Sequence, residues 1–436
     1  MRTNLFFTIL LSACTIPALS QTYSLDDCKR MALEHNRQIQ SSRIETEIAL
    51  QTRREAFTNY FPSISAAGTI FNANHNTIQA DMAIPIPVMG MEMPFSLAML
   101  KHGKAAGITA VQPIFAGGQI FNGNKLSAIG EEVSRFQLKL SEDEILETTE
   151  QYFWQLIALQ EKLNTIATIE KQLDNIRNDV EIAVKAGIST RNDLLRVELQ
   201  QQEVQSNRLK IENGMRINKL LLKQYTGIQD NNFDISCDGF QEPESPALYF
   251  ISPEEAVIRR TEYQLLNKNV EATKLQKRMT LGKNLPSVGV GAGYLYHDFT
   301  GRDNDFGMVF ATVSVPISSW WGGSHAVKRD KLKLQQAEND RLQSIEMMQI
   351  EVQQCWHELQ EAYEQILLSQ KSIASATENL RLNENYFHAG TVSLSDLLDA
   401  QTLFQQSKDQ YTDACSEYRT RLSRYFRITG RQNIGQ

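Results

Sequence analysis

The side chains that bind metals, attack carbonyls or carry protons are spread thinly along this chain. The seven histidines, His35, His75, His102, His297, His325, His357 and His388, are scattered. His357-Glu358-Leu359-Gln360-Glu361 is half of a zinc-binding helix without its second histidine. Gly118-Gln119-Ile120-Phe121-Asn122-Gly123-Asn124-Lys125 approaches a phosphate-binding loop. In such a loop, however, the lysine follows the second glycine directly and a Ser or Thr comes next. No nucleophile elbow or catalytic pattern is present. Cys28, Cys237, Cys355 and Cys415 are too sparse for a disulfide framework and lack Cys-x-x-Cys spacing. Five of the twelve methionines, Met82, Met89, Met91, Met93 and Met99, crowd one segment. Thioethers at every second residue of an extended strand suit a soft cation such as Cu(I). The plainer reading, which we adopt, is an apolar external loop in which methionine fills gaps. The sequence therefore predicts no enzyme, no cofactor and no bound metal.

What remains is a set of hydroxyls and carboxylates where helices begin. Ser24-Leu25-Asp26-Asp27, Ser252-Pro253-Glu254-Glu255 and Ser393-Leu394-Ser395-Asp396 read as capping boxes, and Thr190-Arg191-Asn192-Asp193 is another candidate cap. In each, a Ser or Thr hydroxyl accepts from the backbone three residues on, while the acid reaches back. Asp399 lies one turn beyond Asp396 on the same helix face and has no capping role.

The elements that must position these groups are long helices. Pro113 is followed by no proline until Pro243, and Pro316 by none to the end; residues 324–389 also lack glycine. At 1.5 Å per residue that second stretch extends ~100 Å as one helix. Ile145, Thr149, Tyr152, Leu156, Leu159, Leu163, Ile166, Ile169, Leu173, Ile176, Val180 and Val184 recur mostly three and four apart, and Leu342 through Ile366 repeats the pattern. Both read as coiled-coil seams. Ala186-Gly187-Ile188-Ser189-Thr190-Arg191-Asn192-Asp193-Leu194-Leu195 matches Ala389-Gly390-Thr391-Val392-Ser393-Leu394-Ser395-Asp396-Leu397-Leu398 at an offset of 203 positions, which Gly227 and Gly430, and Pro113 and Pro316, also keep. The chain thus reads as two structural halves. Helices near 25–57, 119–187, 190–226, 253–282, 324–390 and 393–429 are predicted, and in each half the two shorter helices together equal the long one in length.

Between the helices lie alternating segments. Val288, Val290, Ala292, Tyr294 and Tyr296 alternate with Ser287, Gly289, Gly291, Gly293 and Leu295, and Val309, Ala311, Val313 and Val315 with Met308, Phe310, Thr312 and Ser314; Ile64–Phe71 and Ile108–Val111 are weaker partners. A chain with no ~20-residue apolar helix spans a bilayer only as a closed barrel. Four strands do not close one, so closure calls for several chains. Trp320-Trp321 suits an interfacial aromatic girdle.

The composition agrees with this reading. Hydrophobic residues make up 42% and charged residues 22%, and mean hydropathy is -0.35, excluding both a disordered chain and a helical membrane protein. A net charge of -7 without a basic block gives nucleic acid no footprint. Met1–Asn4 carries one arginine, Leu5–Leu11 is apolar and Ala18-Leu19-Ser20 offers small residues before Gln21, so residues 1–20 read as a secretory signal peptide. Leu11-Ser12-Ala13-Cys14 provides an alternative, a lipoprotein signal ending at an acylated Cys14.

These residues resemble the TolC-like outer membrane efflux proteins. The likeness is carried by the two Ala-Gly-x5-Asp-Leu-Leu segments at Gly187 and Gly390. It extends to Tyr60-Phe61-Pro62-Ser63 and Asn284-Leu285-Pro286-Ser287 before strands, Gln112-Pro113-Ile114-Phe115-Ala116-Gly117-Gly118 and Val315-Pro316-Ile317-Ser318 after them, and Ser24-Leu25-Asp26-Asp27-Cys28 at the start. It covers roughly residues 22–430. The resemblance implies a long α-helical coiled-coil barrel fused to a trimeric 12-stranded transmembrane β-barrel with four strands per chain, built from two internal repeats. Its domains would be the signal peptide 1–20, a first repeat 21–227 with a strand pair near 61–75 and 105–116, and an equatorial collar 228–252. A second repeat 253–430 with strands near 285–299 and 306–318, and a tail 431–436, would follow.

The resemblance further implies an exit duct of a tripartite efflux pump or type I secretion system, in the outer membrane and extending into the periplasm. Its partners would be two further copies, outer membrane lipid, a periplasmic adaptor of the membrane fusion protein class and an inner-membrane pump, with no nucleic acid. Hairpin tips at Gly187, Ile188, Gly390 and Thr391 would dock the adaptor. Asp396 and Asp399 match an acidic ring at the periplasmic aperture, where crowded carboxylates raise some of each other's pKa values; Asp396 serves equally well as a cap. Asp193 matches a position in the links that hold the aperture shut, but the expected arginine and tyrosine partners read Val392 and Phe387, which leaves Arg191, Arg196 or Tyr386 as substitutes. The rival readings are a periplasmic coiled-coil adaptor, which would show one hairpin flanked by β-domains, and a secreted helical scaffold.

Overall fold

The computed structural model describes residues 22–75, 78–86, 91–99, 101–230, 233–236, 239–240, 243–299, 303–317 and 319–431. The predicted signal peptide, Cys14 and most of the predicted tail lie outside them, as does Met89. In chain order the elements are β1 (Thr22–Tyr23), α1 (Leu25–His35), α2 (Arg37–Thr58), β2 (Ser63–Asn72), β3 (Ile78–Ile86), β4 (Met91–Met99), β5 (His102–Ala116), α3 (Gln119–Lys185), α4 (Arg191–Thr226), β6 (Asp234–Ile235), a 3-10 turn (Pro246–Tyr249), α5 (Pro253–Arg259), α6 (Thr261–Gly282), β7 (Ser287–Asp298), β8 (Asp303–Ser314), α7 (Ser319–His388) and α8 (Leu394–Ile428). α3 runs for 67 residues and α7 for 70, in keeping with the proline-free stretches. No described helix is long and apolar enough to cross a membrane.

The chain forms two compact units. One comprises the residues to Gln40, Leu140–Arg260 and those from Met348 onward; the other comprises Ser41–Lys139 and Thr261–Met347. Each unit draws on both halves of the chain.

In the first unit the coiled-coil seam is buried: Ile166, Ile169, Leu173 and Val180 of α3 pack with Val197 and Val204 of α4 and with Leu394 and Leu398 of α8. Val352, Cys355, Leu359 and Ile366 of α7 form another core with Tyr418, Leu422 and Tyr425 of α8. The segment 228–252 is tied down by hydrogen bonds. Tyr418 donates to the Glu244 carbonyl at 2.6 Å, the Tyr425 hydroxyl accepts from Ile251 N–H at 3.2 Å, and β1 pairs in parallel with β6. Cys28, Cys355 and Cys415 are free and buried; burial pushes the Cys28 thiol up to about 12, so it is inert packing.

The second unit carries a four-stranded antiparallel sheet in the order β2-β5-β7-β8 and a separate β3–β4 hairpin. Where β5 passes into α3, the backbones of Gly117 and Gly282 touch. A Cβ on Gly117, which has φ of 58°, would lie 2.1 Å from the Gly282 oxygen, so only glycine fits there.

The structure departs from the sequence reading at several places. The helix expected over 25–57 breaks at Asn36, whose Oδ1 accepts from Gln38 N–H at 2.9 Å while its Nδ2 donates to the Tyr225 carbonyl at 3.4 Å. The helix expected over 253–282 breaks at Arg260, buried against Glu351 at 2.6 Å. The box at Ser252 is half made: its hydroxyl accepts from Glu255 N–H at 3.3 Å, but the Glu255 carboxylate turns to Arg259 instead. The methionine-rich segment is a nine-pair hairpin instead of a loop, with Met82 opposite Phe95, Met93 opposite Ile84 and Met91 opposite Ile86.

Candidate functional site

Both long hairpins turn by the same device. After α3, Gly187 (φ 74°) donates to Val184 O and Ile188 to Ala183 O; after α7, Gly390 (φ 71°) donates to Phe387 O and Thr391 to Tyr386 O. Nested six- and four-residue loops of this kind satisfy the last carbonyls of a helix and require the left-handed backbone that glycine supplies without strain. Gly187, Ile188, Gly390 and Thr391 are all exposed.

Each return helix then starts with a full capping box. Thr190 N–H donates to Asp193 Oδ2 at 3.0 Å and Asp193 N–H to Thr190 Oγ1 at 3.2 Å. Ser393 N–H donates to Asp396 Oδ2 at 3.1 Å and Asp396 N–H to Ser393 Oγ at 3.2 Å. Asp193 also accepts from the Ser189 hydroxyl at 2.9 Å and feels the charge of Arg196. Its carboxyl is held below the usual range, chiefly by the Thr190 hydroxyl. The Asp396 carboxyl is lowered too, first by the Ser393 hydroxyl and then by its backbone N–H. Within one chain Asp396 is therefore a cap, while Asp399, exposed one turn on, takes no part in it. Among Arg191, Arg196 and Tyr386, only Arg196 bears on Asp193 inside the chain. The tips sit close together: Leu394 and Leu398 share a core with Val197, with Leu194 and Phe387 at its edge. Among the described residues no three His, Cys, Asp or Glu side chains converge to hold a metal.

The sheet has two unlike faces. By register, Ile64, Ala66, Gly68 and Ile70 of β2 line up with Ala106, Ile108 and Ala110 of β5, Val290, Ala292, Tyr294 and Tyr296 of β7, and Val309, Ala311 and Val313 of β8. This face is apolar and bare, with Val309 87%, Ile70 83% and Ile64 74% exposed. The other face is mixed: Ser63, Ser65, Thr69, Thr109, Asn304 and Thr312 stand among glycines and alanines, with Val111, Leu295, Met308 and Phe310 between them, and Ser65 bonds Thr109 at 3.0 Å. A soluble sheet hides its apolar face and wets its polar one; here the arrangement suits lipid outside and water inside. Trp320 and Trp321, exposed, stand in the first turn of α7, and Trp320 Nε1 donates to the Asn284 carbonyl at 3.0 Å.

Residues 253–431 match the family described as "Outer membrane efflux protein". Over those residues the chain is similar to that family. A comparison with curated proteins gives no match. The fold of this chain is similar to that of CusC, at a TM-score of 0.79 and 14% identity over 94% of this chain and 92% of that one. VceC from Vibrio cholerae matches at 0.76 and 13% over 93% and 96%, and CmeC of Campylobacter jejuni at 0.76 and 14% over 94% and 87%. At such identities the likeness concerns the fold; the CmeC structure is described as an outer membrane channel.

Proposed function

We propose that this protein is the exit duct of a tripartite efflux pump or a type I secretion system. It is a passive conduit across the periplasm, opened at its periplasmic end by an adaptor and an inner-membrane transporter. The observation that supports this most is the sheet with one bare apolar face and an opposite face of mixed small, polar and apolar residues. Four strands leave two open edges. Three copies remove them by closing twelve strands into one barrel, a homotrimer with lipid outside and water within.

In this reading residues 21–227 and 253–430 are two structural repeats joined by the collar 228–252. The tips at Gly187–Ile188 and Gly390–Thr391 meet the adaptor. Asp396 and Asp399 of three chains ring the periplasmic aperture, and Asp193 belongs to the contacts that keep it shut. The duct does not choose its cargo; the transporter does.

The test is extraction and conductance. The protein should leave the outer membrane only with detergent, cross-link as three chains and carry ion current in planar bilayers. Release by a salt or carbonate wash, with a monomer and no current, would overturn the reading and favour an adaptor or secreted scaffold.

A further inference from the structure

The mixed face of the sheet is not uniform along its length. At the end that carries the β2-to-β5 and β7-to-β8 connections, away from the ends joined to helices, it holds a group of rings. Phe71 and Phe299 close over Gly103 from either side, 6.0 Å apart by centroid. A Cβ on Gly103 would lie 2.6 Å from Phe299 and 2.8 Å from Phe71. His297 stacks on Phe299 at 4.8 Å with planes 10° apart, and meets Phe306 edge-on at 6.2 Å. His297 Nδ1 is buried and makes no hydrogen bond among the described residues. The rest of the face nearby is Ala67, Thr69, Ala105 and Gly107 on β2 and β5, and Leu295 and Asn304 on β7 and β8, so on the β2–β5 side the rings stand above small neighbours. Phe306 keeps 43% of its surface exposed.

We propose that Phe71, His297, Phe299 and Phe306 form an aromatic collar at the outer mouth of the duct, where flat aromatic solutes, cationic ones above all, make their last contact before release. The inference rests on the exit-duct reading, which turns this face toward the lumen. Aromatic faces attract cations through the ring quadrupole and stack on flat solutes through dispersion. Three copies would line the opening with twelve rings, gathered at the outer end of a wall that elsewhere mixes small, polar and scattered apolar residues. Packing over a glycine explains Phe71 and Phe299 as structure, but it leaves the half-exposed Phe306 and the stacked His297 without a task.

The experiment uses the trimer in planar bilayers, with tetraphenylphosphonium and tetrabutylammonium added separately on the outer side as a bulky aromatic and a bulky aliphatic cation of equal charge. The wild type should be blocked at lower concentrations of the aromatic cation. In Phe299→Leu, His297→Leu and the conservatively placed Phe306→Leu, with assembly verified by cross-linking, that preference should fall by roughly 3- to 10-fold, as loss of a cation–π contact implies. Current in plain salt should not fall. Equal block by both cations in the wild type, or an unchanged preference in the assembled variants, overturns the collar alone. A wild type that conducts no current at all removes the duct and the collar together.

Discussion

The two long hairpins share length, turn and cap, yet different forces hold them shut near their tips. Across α3 and α4, Arg177 faces Glu198 at 3.4 Å, Arg208 pairs with Glu170, and Gln201 donates to Asp174 at 2.7 Å. The positions 203 residues later read Leu380 and Gln401, Tyr411 and Ile373, and Phe404 and Thr377. Charge has been replaced by apolar surface. Leu380 packs with Leu397 and Ala400, and Ile176 of α3 covers part of that patch. Both hairpins bury apolar seams and each lends side chains to the other's, but only the first adds cross-helix ion pairs near its tip. The first hairpin is therefore the more sensitive to salt at its tip, and the second rests there on apolar packing.

The comparison breaks most visibly at Leu397, which is 1% exposed. Leu397→Ala should cost about 2–5 kcal/mol, the range for emptying a packed leucine site, seen as a lower melting temperature of the detergent-solubilised trimer. A loss below about 1 kcal/mol would mean that the apolar seam does not hold the second hairpin.

The next effect concerns the acids that only the second tip doubles. Asp396→Asn with Asp399→Asn should leave the trimer conducting while block by divalent or trivalent cations from the periplasmic side weakens on the order of tenfold, since each removed charge took part in several pairwise attractions in a narrow opening. Asp399→Asn alone should produce most of that loss, because Asp396 is engaged in its cap. Unchanged block in the assembled double variant would take both residues out of the pore.

The turns are where the hairpins should behave alike. No atom lies within 4 Å of a Cβ built on Gly187 or Gly390, so alanine at either meets only backbone strain, about 1–2 kcal/mol. Calorimetry that finds one substitution far costlier than the other would show that a neighbour, in the assembly, presses on that tip.

Acid should separate the caps again. Both Asp193 and Asp396 titrate below the usual carboxylate range in the folded chain. Their contribution is complete above the unfolded value of about 3.9 and fades as pH falls through the lower folded values. Between pH 5 and 8 they should leave the tips unchanged, and below about pH 4 amide exchange at both tips should quicken. Asp193→Asn should flatten that dependence more than Asp396→Asn, because Ser189 and Arg196 act only on Asp193. The smallest change is Arg177→Gln, worth about 0.5 kcal/mol or less at this half-exposed pair and vanishing in high salt. An effect that persists in high salt would mean that Arg177 packs more than it pairs.

The long helices were legible because proline and glycine are missing from them, and the turns because glycine returns at 187 and 390 with a hydroxyl and an acid at set distances beyond. The tip caps at Thr190 and Ser393 follow from the same local rule. The breaks at Asn36 and Arg260 were not legible, because each depends on a distant partner: Tyr225 for Asn36 and Glu351 for Arg260. Gly322-Gly323 misled in the other direction. α7 runs through them from Ser319, and Asn284 lies where a side chain on Gly323 would go, 2.3 Å from its Cβ, so close packing rather than a helix stop accounts for that glycine. The methionine hairpin was hidden because Pro85 and Pro94 punctuate it, although proline is compatible with the outer edge of a two-stranded ribbon. At the tips, spacing located the acids, but only the hydrogen bonds distinguish the engaged Asp396 from the free-standing Asp399.

The tie between Thr22–Tyr23 and Asp234–Ile235, and the lid that Tyr418, Leu422 and Tyr425 place over Val352, Cys355 and Leu359, set a timetable. A chain delivered N-terminus first offers its opening strand long before its partner arrives, and offers α7 before the helix that covers it. Contacts so remote in sequence are slow to find, so the first unit stays open until almost the last residue is available. Until then the uncovered stripe of α7 is bait for aggregation or a chaperone, and a chain cut short after Gly390 would never leave that condition.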